Sequence, residues 1–282
     1  SVRNVNISMF INDLPNKKDT TCFSSMDASG STSQAAGVIE SLEAGAHLFL
    51  IDEDTSATNF MLRDEFMQQV ISREKEPITP FLERARNLYE RAGVSTILVA
   101  GSSGAFFYIA DHVIQMDNYH PVEITEKVKA LCNNYPTPRT EAPDFQVPKF
   151  DRTIPPFRRT EDSRRSRCGR NHGDSNSRAT SHEHMKTKLY GKDSFSIDKE
   201  TVDLRYVEQL VDAEQTAALS YFLRYGLEQI IDGQKTVQET AEQLMKLIDQ
   251  KGWLPFCSSY IPCGLAKPRI QELYACLNRF RG

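Results

Sequence analysis

The chain has no apolar run approaching the roughly 20 residues that span a bilayer, so no transmembrane helix is expected. Its first residues, SVRNVNISMFINDLP, carry no signal-peptide pattern and read as the middle of a polypeptide rather than its beginning. Cysteine is sparse. The six, Cys22, Cys132, Cys168, Cys257, Cys263 and Cys276, form no C-x-x-C pair and no disulfide-dense framework, which points to a reducing compartment. Cys168, His172, His182 and His184 lie near one another, but their spacing matches no usual zinc pattern. No RRM or KH signature is present either, which argues against sequence-reading recognition of RNA by those modules.

What remains is globular in composition. The 282 residues are 39% hydrophobic and 26% charged, enough for one large domain or two modest ones. The net charge of −4 is unevenly spread. Between Lys149 and Lys192 there are twelve Lys/Arg against five Asp/Glu, a local +7 that leaves −11 for the rest.

Three regions follow. Residues 1–135 alternate strand and helix patterns. TSQAAGVIESLEAG reads as a helix with Ala35, Ala36, Val38, Ile39 and Leu42 on its apolar face. NFMLRDEFMQQVI reads as a second helix, with Phe60, Leu62, Phe66, Met67, Val70 and Ile71 as its apolar side. ITPFLERARNLYERAG is a third, with Pro80 near its start and Gly93 as its stop. HLFLID, STILVAG and HVIQMD read as strands, and GAFFYIA as a short helix between the last two. Strand, helix, strand at this spacing predicts right-handed crossovers and a parallel α/β sheet. Residues 136–192, rich in Pro, Ser and Arg, read as a linker or extended arm. Residues 193–282 predict a small, mainly helical domain, including TVQETAEQLMKLIDQKG with a Thr236–Glu239 capping box.

Two stretches carry candidate chemistry. Leu48, Phe49, Leu50 and Ile51 run into Asp52, Glu53 and Asp54. This is a covered strand followed by a polar loop, or a strand that delivers carboxylates to a ligand at its carboxyl end. In the second case one carboxylate suits a metal ion and its neighbour an attacking water. Upstream, DASGSTSQAA opens a helix. It is an ordinary serine cap, or a helix N-terminus whose free N–H groups and dipole favour phosphate.

The register of these stretches resembles the ABC-class ATPases. ASGST stands where their signature motif opens a helix, and Ser29 precedes Asp52 by the 23 residues typical of that class. LIDEDTSATN follows the Walker B strand and D-loop, and ILVAGSSGAFFYIADHVIQMDN follows the switch region without a gap. ASGSTSQAA, LIDEDTSATNFM, EKEPITPF and GVSTILVAGSSG, with VEQLVDAEQT and LAKPRIQELYACLNR near the end, are similar to the non-transporter family of predicted ATPases of the ABC class, including its kinetoplastid branch. The resemblance implies a carboxyl part of an ABC-class P-loop domain followed by a small helical domain. It implies ATP and Mg²⁺ as cofactors, with Asp52 holding the metal through its hydration shell and Glu53 orienting the lytic water. Ser29, Gly30 and Ser31 would contact a nucleotide held by another ABC face. Ser56, Ala57 and Asn59 would link the two sites, and Ser102 and Ser103 would approach the γ-phosphate. An ATP-dependent dimer, an RNA partner, no membrane partner and a mitochondrial location follow from the same resemblance.

The departures are specific. The phosphate cradle G-x-x-x-x-G-K-[ST] occurs nowhere in the 282 residues, so a preceding part carrying it is expected. The usual switch histidine falls on Gly101, and the usual proline after Glu53 is Asp54. In the basic region, Arg158, Arg159, Arg164, Arg165, Arg167 and Arg170 fall within thirteen residues, flanked by Phe150 and Phe157. This is a solvated linker, or a surface for RNA phosphates with aromatic rings able to stack on bases. The expected function is a slow, RNA-binding ATPase in mitochondrial RNA editing or processing. The rival is an RNA-binding or scaffold protein whose ATPase module serves as a slow or inactive switch.

Overall fold

A computed structural model describes residues 2–12, 14, 17–72, 75–135, 142, 144–157, 184–257 and 259–281. The chain divides into two compact units, Ser1–Lys149 and Phe150–Gly282.

The first unit is α/β. Strands β1 (Val2–Val5) and β2 (Phe23–Ser25) pair antiparallel. Helix α1 (Gly30–Glu43) buries Ala35, Ala36, Val38, Ile39 and Leu42, the side that its 3.6-residue period predicts. Strand β3 (Leu48–Asp52) pairs parallel with β4 (Ser95–Val99), in register from Leu48 opposite Ser95 to Asp52 opposite Val99. The crossover between them runs through α2 (Thr58–Met61), α3 (Glu65–Val70) and α4 (Phe81–Ala92). Gly93 ends α4 at φ +67°, a left-handed conformation that releases its N–H to the carbonyls of Leu88 and Tyr89. Phe10, Phe60 and Phe81 pack ring on ring at the core, with centroids 5.1–6.5 Å apart. Arg84 is buried beside them and donates from Nε to the Met9 carbonyl at 2.9 Å.

Three expectations need correction here. NFMLRDEFMQQVI is not one helix: Leu62 is extended, and Asp64 caps a new helix by accepting from the N–H groups of Phe66 and Met67. The capping geometry turns Phe66, Met67 and Val70 outward, where all three are exposed. Strand β3 is not covered on both sides. Phe49 is buried, but Leu48, Leu50, Ile97 and Val99, which share the opposite face, stand exposed, because helices cover one face of this two-stranded sheet among the described residues. HVIQMD does form a strand, β5 (Ile114–Asp117), but it pairs antiparallel with β6 (His120–Glu123) as a hairpin. Between β4 and β5 lies a 3₁₀ turn, Gly104–Tyr108, and α5 (Thr125–Cys132) follows β6.

The second unit is mainly helical. It opens on residues 150–157, where Val237 N–H donates to the Arg152 carbonyl at 2.9 Å and the Phe157 ring lies 5.7 Å from Phe280. A three-stranded antiparallel meander follows, β7 (Thr187–Leu189), β8 (Ser194–Ile197) and β9 (Glu200–Asp203), burying Phe195, Ile197 and Val202. Helix α6 (Ala213–Tyr225) starts at an Asp212–Gln215 capping box and passes into a π-helical turn, Gly226–Ile230. Helix α7 (Val237–Lys251) starts at the predicted Thr236–Glu239 box, and α8 (Ile270–Arg279) completes the unit. Phe222, Trp253 and Phe256 form its aromatic centre, Phe222 stacking on Phe256 at 4.7 Å.

Candidate functional site

The parallel register of β3 and β4 brings residues 52–54 beside residues 101–103. Glu53 N–H donates to the Val99 carbonyl at 2.9 Å, so the two strands leave the sheet together. Beyond that bond the Glu53 carboxylate turns onto the loop after β4. Ser102 donates from its N–H at 3.4 Å and its hydroxyl at 3.2 Å, and Ser103 from its N–H at 3.3 Å. Consecutive backbone N–H groups converging on one carboxylate make a concavity suited to an anion. Ser103 also caps the 3₁₀ turn behind it, accepting from Ala105 N–H.

Asp52 faces solvent at the end of β3. One of its oxygens accepts from the Asp54 N–H at 3.3 Å and the other from the Thr55 hydroxyl at 3.1 Å, while the Ser56 hydroxyl donates to its carbonyl at 2.7 Å. Each carboxylate oxygen therefore keeps lone pairs directed at water. A hard cation with its hydration shell is compatible with that donor set.

The second cluster joins the start of α1 to residues 56–59. The Ser31 hydroxyl donates to the Asn59 side-chain carbonyl. Gln34 donates from Nε2 to the Ser56 hydroxyl at 2.9 Å and accepts from Ala57 N–H at 3.0 Å. A Cβ at Gly30 would stand 3.5 Å from that of Ala57, which is ordinary contact. Ser29 is the exposed N-cap residue. Its side chain caps no backbone N–H and donates instead to Thr32 at 3.1 Å.

The structure thus assembles Glu53, Ser102 and Ser103 into one constellation, and Gly30, Ser31, Ser56, Ala57 and Asn59 into another. Gln34 was not among the residues singled out from the sequence. Its signal was there, since it lies four residues after Gly30 and three after Ser31, on the same helix face. Phe157 packs against Phe280 within the second unit. Arg158, Arg159, Arg164, Arg165, Arg167 and Arg170, with Cys168, His172 and His182, lie outside the described residues. His184, the described member of the candidate zinc group, has Nδ1 2.7 Å from the Glu228 carboxylate, and no cluster of three metal-ligating side chains occurs among the described residues.

A parallel strand pair ending in carboxylates, one held by the loop of its neighbour, is compatible with part of a P-loop nucleotide-binding domain. The chain belongs to the ABC ATPases: residues 1–152, more than half its length, match the P-loop domain of that family. Residues 186–282 are similar to one particular member's module, matching the MRB1590 C-terminal domain. No curated protein matches the chain. Among the described residues no helix is long and apolar enough to cross a membrane.

Proposed function

We propose that this chain supplies the carboxyl half of an ATP-hydrolysing site and that its basic arm binds RNA. The observation that carries the reading is the Glu53 carboxylate at the mouth of two paired parallel strands, held by Ser102 and Ser103. Ligands of open α/β sheets bind at that end.

In this reading Glu53 orients the water that attacks the γ-phosphate, and Asp52 is the residue that would hold Mg²⁺. When bound, the ion neutralises phosphate charge. The N–H groups of Ser102 and Ser103, which donate to the Glu53 carboxylate, are donors of the kind that a phosphate oxygen accepts from. Ser29, Gly30 and Ser31 face a nucleotide held by a second ABC face. Gln34, bonded to Ser56 and Ala57, ties that helix start to the residues following Asp52, so movement of one is felt by the other. The phosphate cradle comes from polypeptide outside these 282 residues. The bare face of Leu48, Leu50, Ile97 and Val99 supports that view, being an exposed apolar surface on sheet strands.

RNA binding rests on Arg158, Arg159, Arg164, Arg165, Arg167 and Arg170, whose forked donors suit phosphates. The similarity of residues 186–282 to the MRB1590 C-terminal domain, together with the kinetoplastid resemblance of the motifs, supports a role in mitochondrial RNA editing. A rival reading, an RNA-binding or scaffold protein with a slow nucleotide switch, is favoured by Gly101, where an imidazole would otherwise serve.

Steady-state ATP turnover of the full-length protein tests the central reading. Glu53→Gln should cut turnover by about 10²-fold or more while ATP binding stays intact. Equal turnover in the two proteins removes Glu53 from the reaction.

A further inference from the structure

The turn that follows Asp52 is closed by a ring of hydrogen bonds, and a side chain from α1 completes it. Gln34 is half-buried near the start of that helix. Its Oε1 accepts from the Ala57 N–H at 3.0 Å, and its Nε2 donates to the Ser56 hydroxyl at 2.9 Å. The Ser56 hydroxyl in turn donates to the Asp52 carbonyl at 2.7 Å. Chemistry fixes every polarity in this ring. A backbone N–H only donates, so the amide oxygen must face Ala57 and the amino group is left for Ser56. A carbonyl only accepts, so the single hydroxyl proton of Ser56 belongs to Asp52. Nε2 also lies 3.9 Å from the sulfur of buried Met61, which sets the amide against the core. Within the ring, Ser56 N–H donates to the Glu53 carbonyl at 3.1 Å.

We propose that Gln34 is a positioning residue for ATP hydrolysis, holding the turn of residues 52–57 so that the aim of Asp52 and Glu53 follows the start of α1. The proposal rests on the ATPase reading of this site. Gln34 acts through Ser56. An acceptor in place of Nε2 would give the Ser56 proton a second destination, and a carboxylate is a stronger acceptor than a carbonyl. The Asp52 carbonyl would then lose its bond and the turn its closure. A second tie runs beside the first, since the Ser31 hydroxyl donates to the Asn59 side chain. Residues 29–34 and 52–59 are therefore joined by side-chain bonds at two points, and a shift of the helix start reaches the end of β3 through them.

The test compares the full-length wild type with Gln34→Glu, Gln34→Met, Ser56→Ala and the two double variants, measuring kcat, ATP affinity and hydrogen exchange at the Ala57 amide. Gln34→Glu keeps the shape and the acceptor for Ala57 but reverses the bond to Ser56, whereas Gln34→Met removes both bonds. Each should lower kcat about tenfold with ATP affinity held within about threefold. In the Ser56→Ala background each should cost less than about twofold more, because residues acting through one bond are not additive. Ala57 exchange should stay slow in Gln34→Glu and quicken about tenfold in Gln34→Met. Wild-type kcat in Gln34→Glu overturns the proposal and leaves the ATPase reading intact. Loss of ATP affinity in parallel with kcat, or full additivity with Ser56→Ala, also overturns it, since Gln34 would then support the fold rather than aim the turn. Unchanged Ala57 exchange in Gln34→Met overturns the ring itself. Absence of turnover in the wild type removes the ATPase reading and the proposal with it.

Discussion

At the scale of single residues, burial separates the cysteines more sharply than their sequence neighbourhoods do. All five described cysteines are free thiols. Cys276 is fully enclosed in α8 against the rest of the second unit, and burial pushes its thiol up to about 12. The neutral thiol is favoured in the fold, so the folded pKa lies above the unfolded one. The resulting stability is complete below the unfolded value of about 8.5 and is lost as pH climbs toward the folded value. At pH 8 a thiol reagent should label exposed Cys22 and Cys263 promptly and Cys276 only after denaturant is added. Prompt labelling of Cys276 in the native protein would mean that α8 opens far more readily than its packing implies. The site residues divide in the same manner. Glu53, Ser102 and Ser103 are legible in the sequence because motif order fixes them relative to β3 and β4. The nearness of the Asp54 carboxylate to Gly101 is not, because an approach between residues 47 positions apart leaves no mark in either local pattern.

At the scale of elements, length and local caps decide what could be read. Helices α1, α4 and α7 span three or more turns with clear apolar faces and stop or cap signals, so their periodicity is unambiguous. The meander of residues 187–203 is not legible, because strands of three or four residues are too short to establish a period of two. The apparent helix of residues 59–71 misleads because its apolar spacing continues across Asp64, whose capping role interrupts it. The β5–β6 hairpin shows a strained connection. Asn118 and Tyr119 both take positive φ, +46° and +68°, as a tight turn with the twist of its flanking strands requires. Asn takes that region at lower cost than Tyr. The Tyr119 side chain is 96% exposed, so little packing offsets the strain. Tyr119→Gly should therefore stabilise the first unit by about 0.5–1 kcal/mol despite the entropy of the added glycine. Thermal or urea unfolding checks this, and a clear loss of stability would show that the ring has a partner.

At the scale of the whole molecule, the two family matches fall on different stretches. Residues 1–152 match the ABC ATPase P-loop domain and carry the strand ends and the helix start that the proposed function assigns to the nucleotide, and residues 186–282 carry the module similar to the MRB1590 C-terminal domain. The arginine-rich segment lies in the sequence between the first unit's last helix and the second unit's meander. Replacing Arg158, Arg159, Arg164, Arg165, Arg167 and Arg170 by Gln should weaken RNA binding and flatten the dependence of log affinity on log salt by up to about 4, since each single-strand phosphate contact contributes roughly 0.7. ATP binding should be unchanged. Unaltered RNA affinity and salt slope would make the arm a linker.

The most direct measurement is an experimental structure of the full-length protein with Mg²⁺ and a non-hydrolysable ATP analogue. The account predicts the γ-phosphate at the carboxyl ends of β3 and β4, accepting from Ser102 or Ser103, with Asp52 beside the ion and Glu53 facing the attacking water. A nucleotide bound away from residues 52–54 and 101–103, with Glu53 still held by both serines, would contradict it.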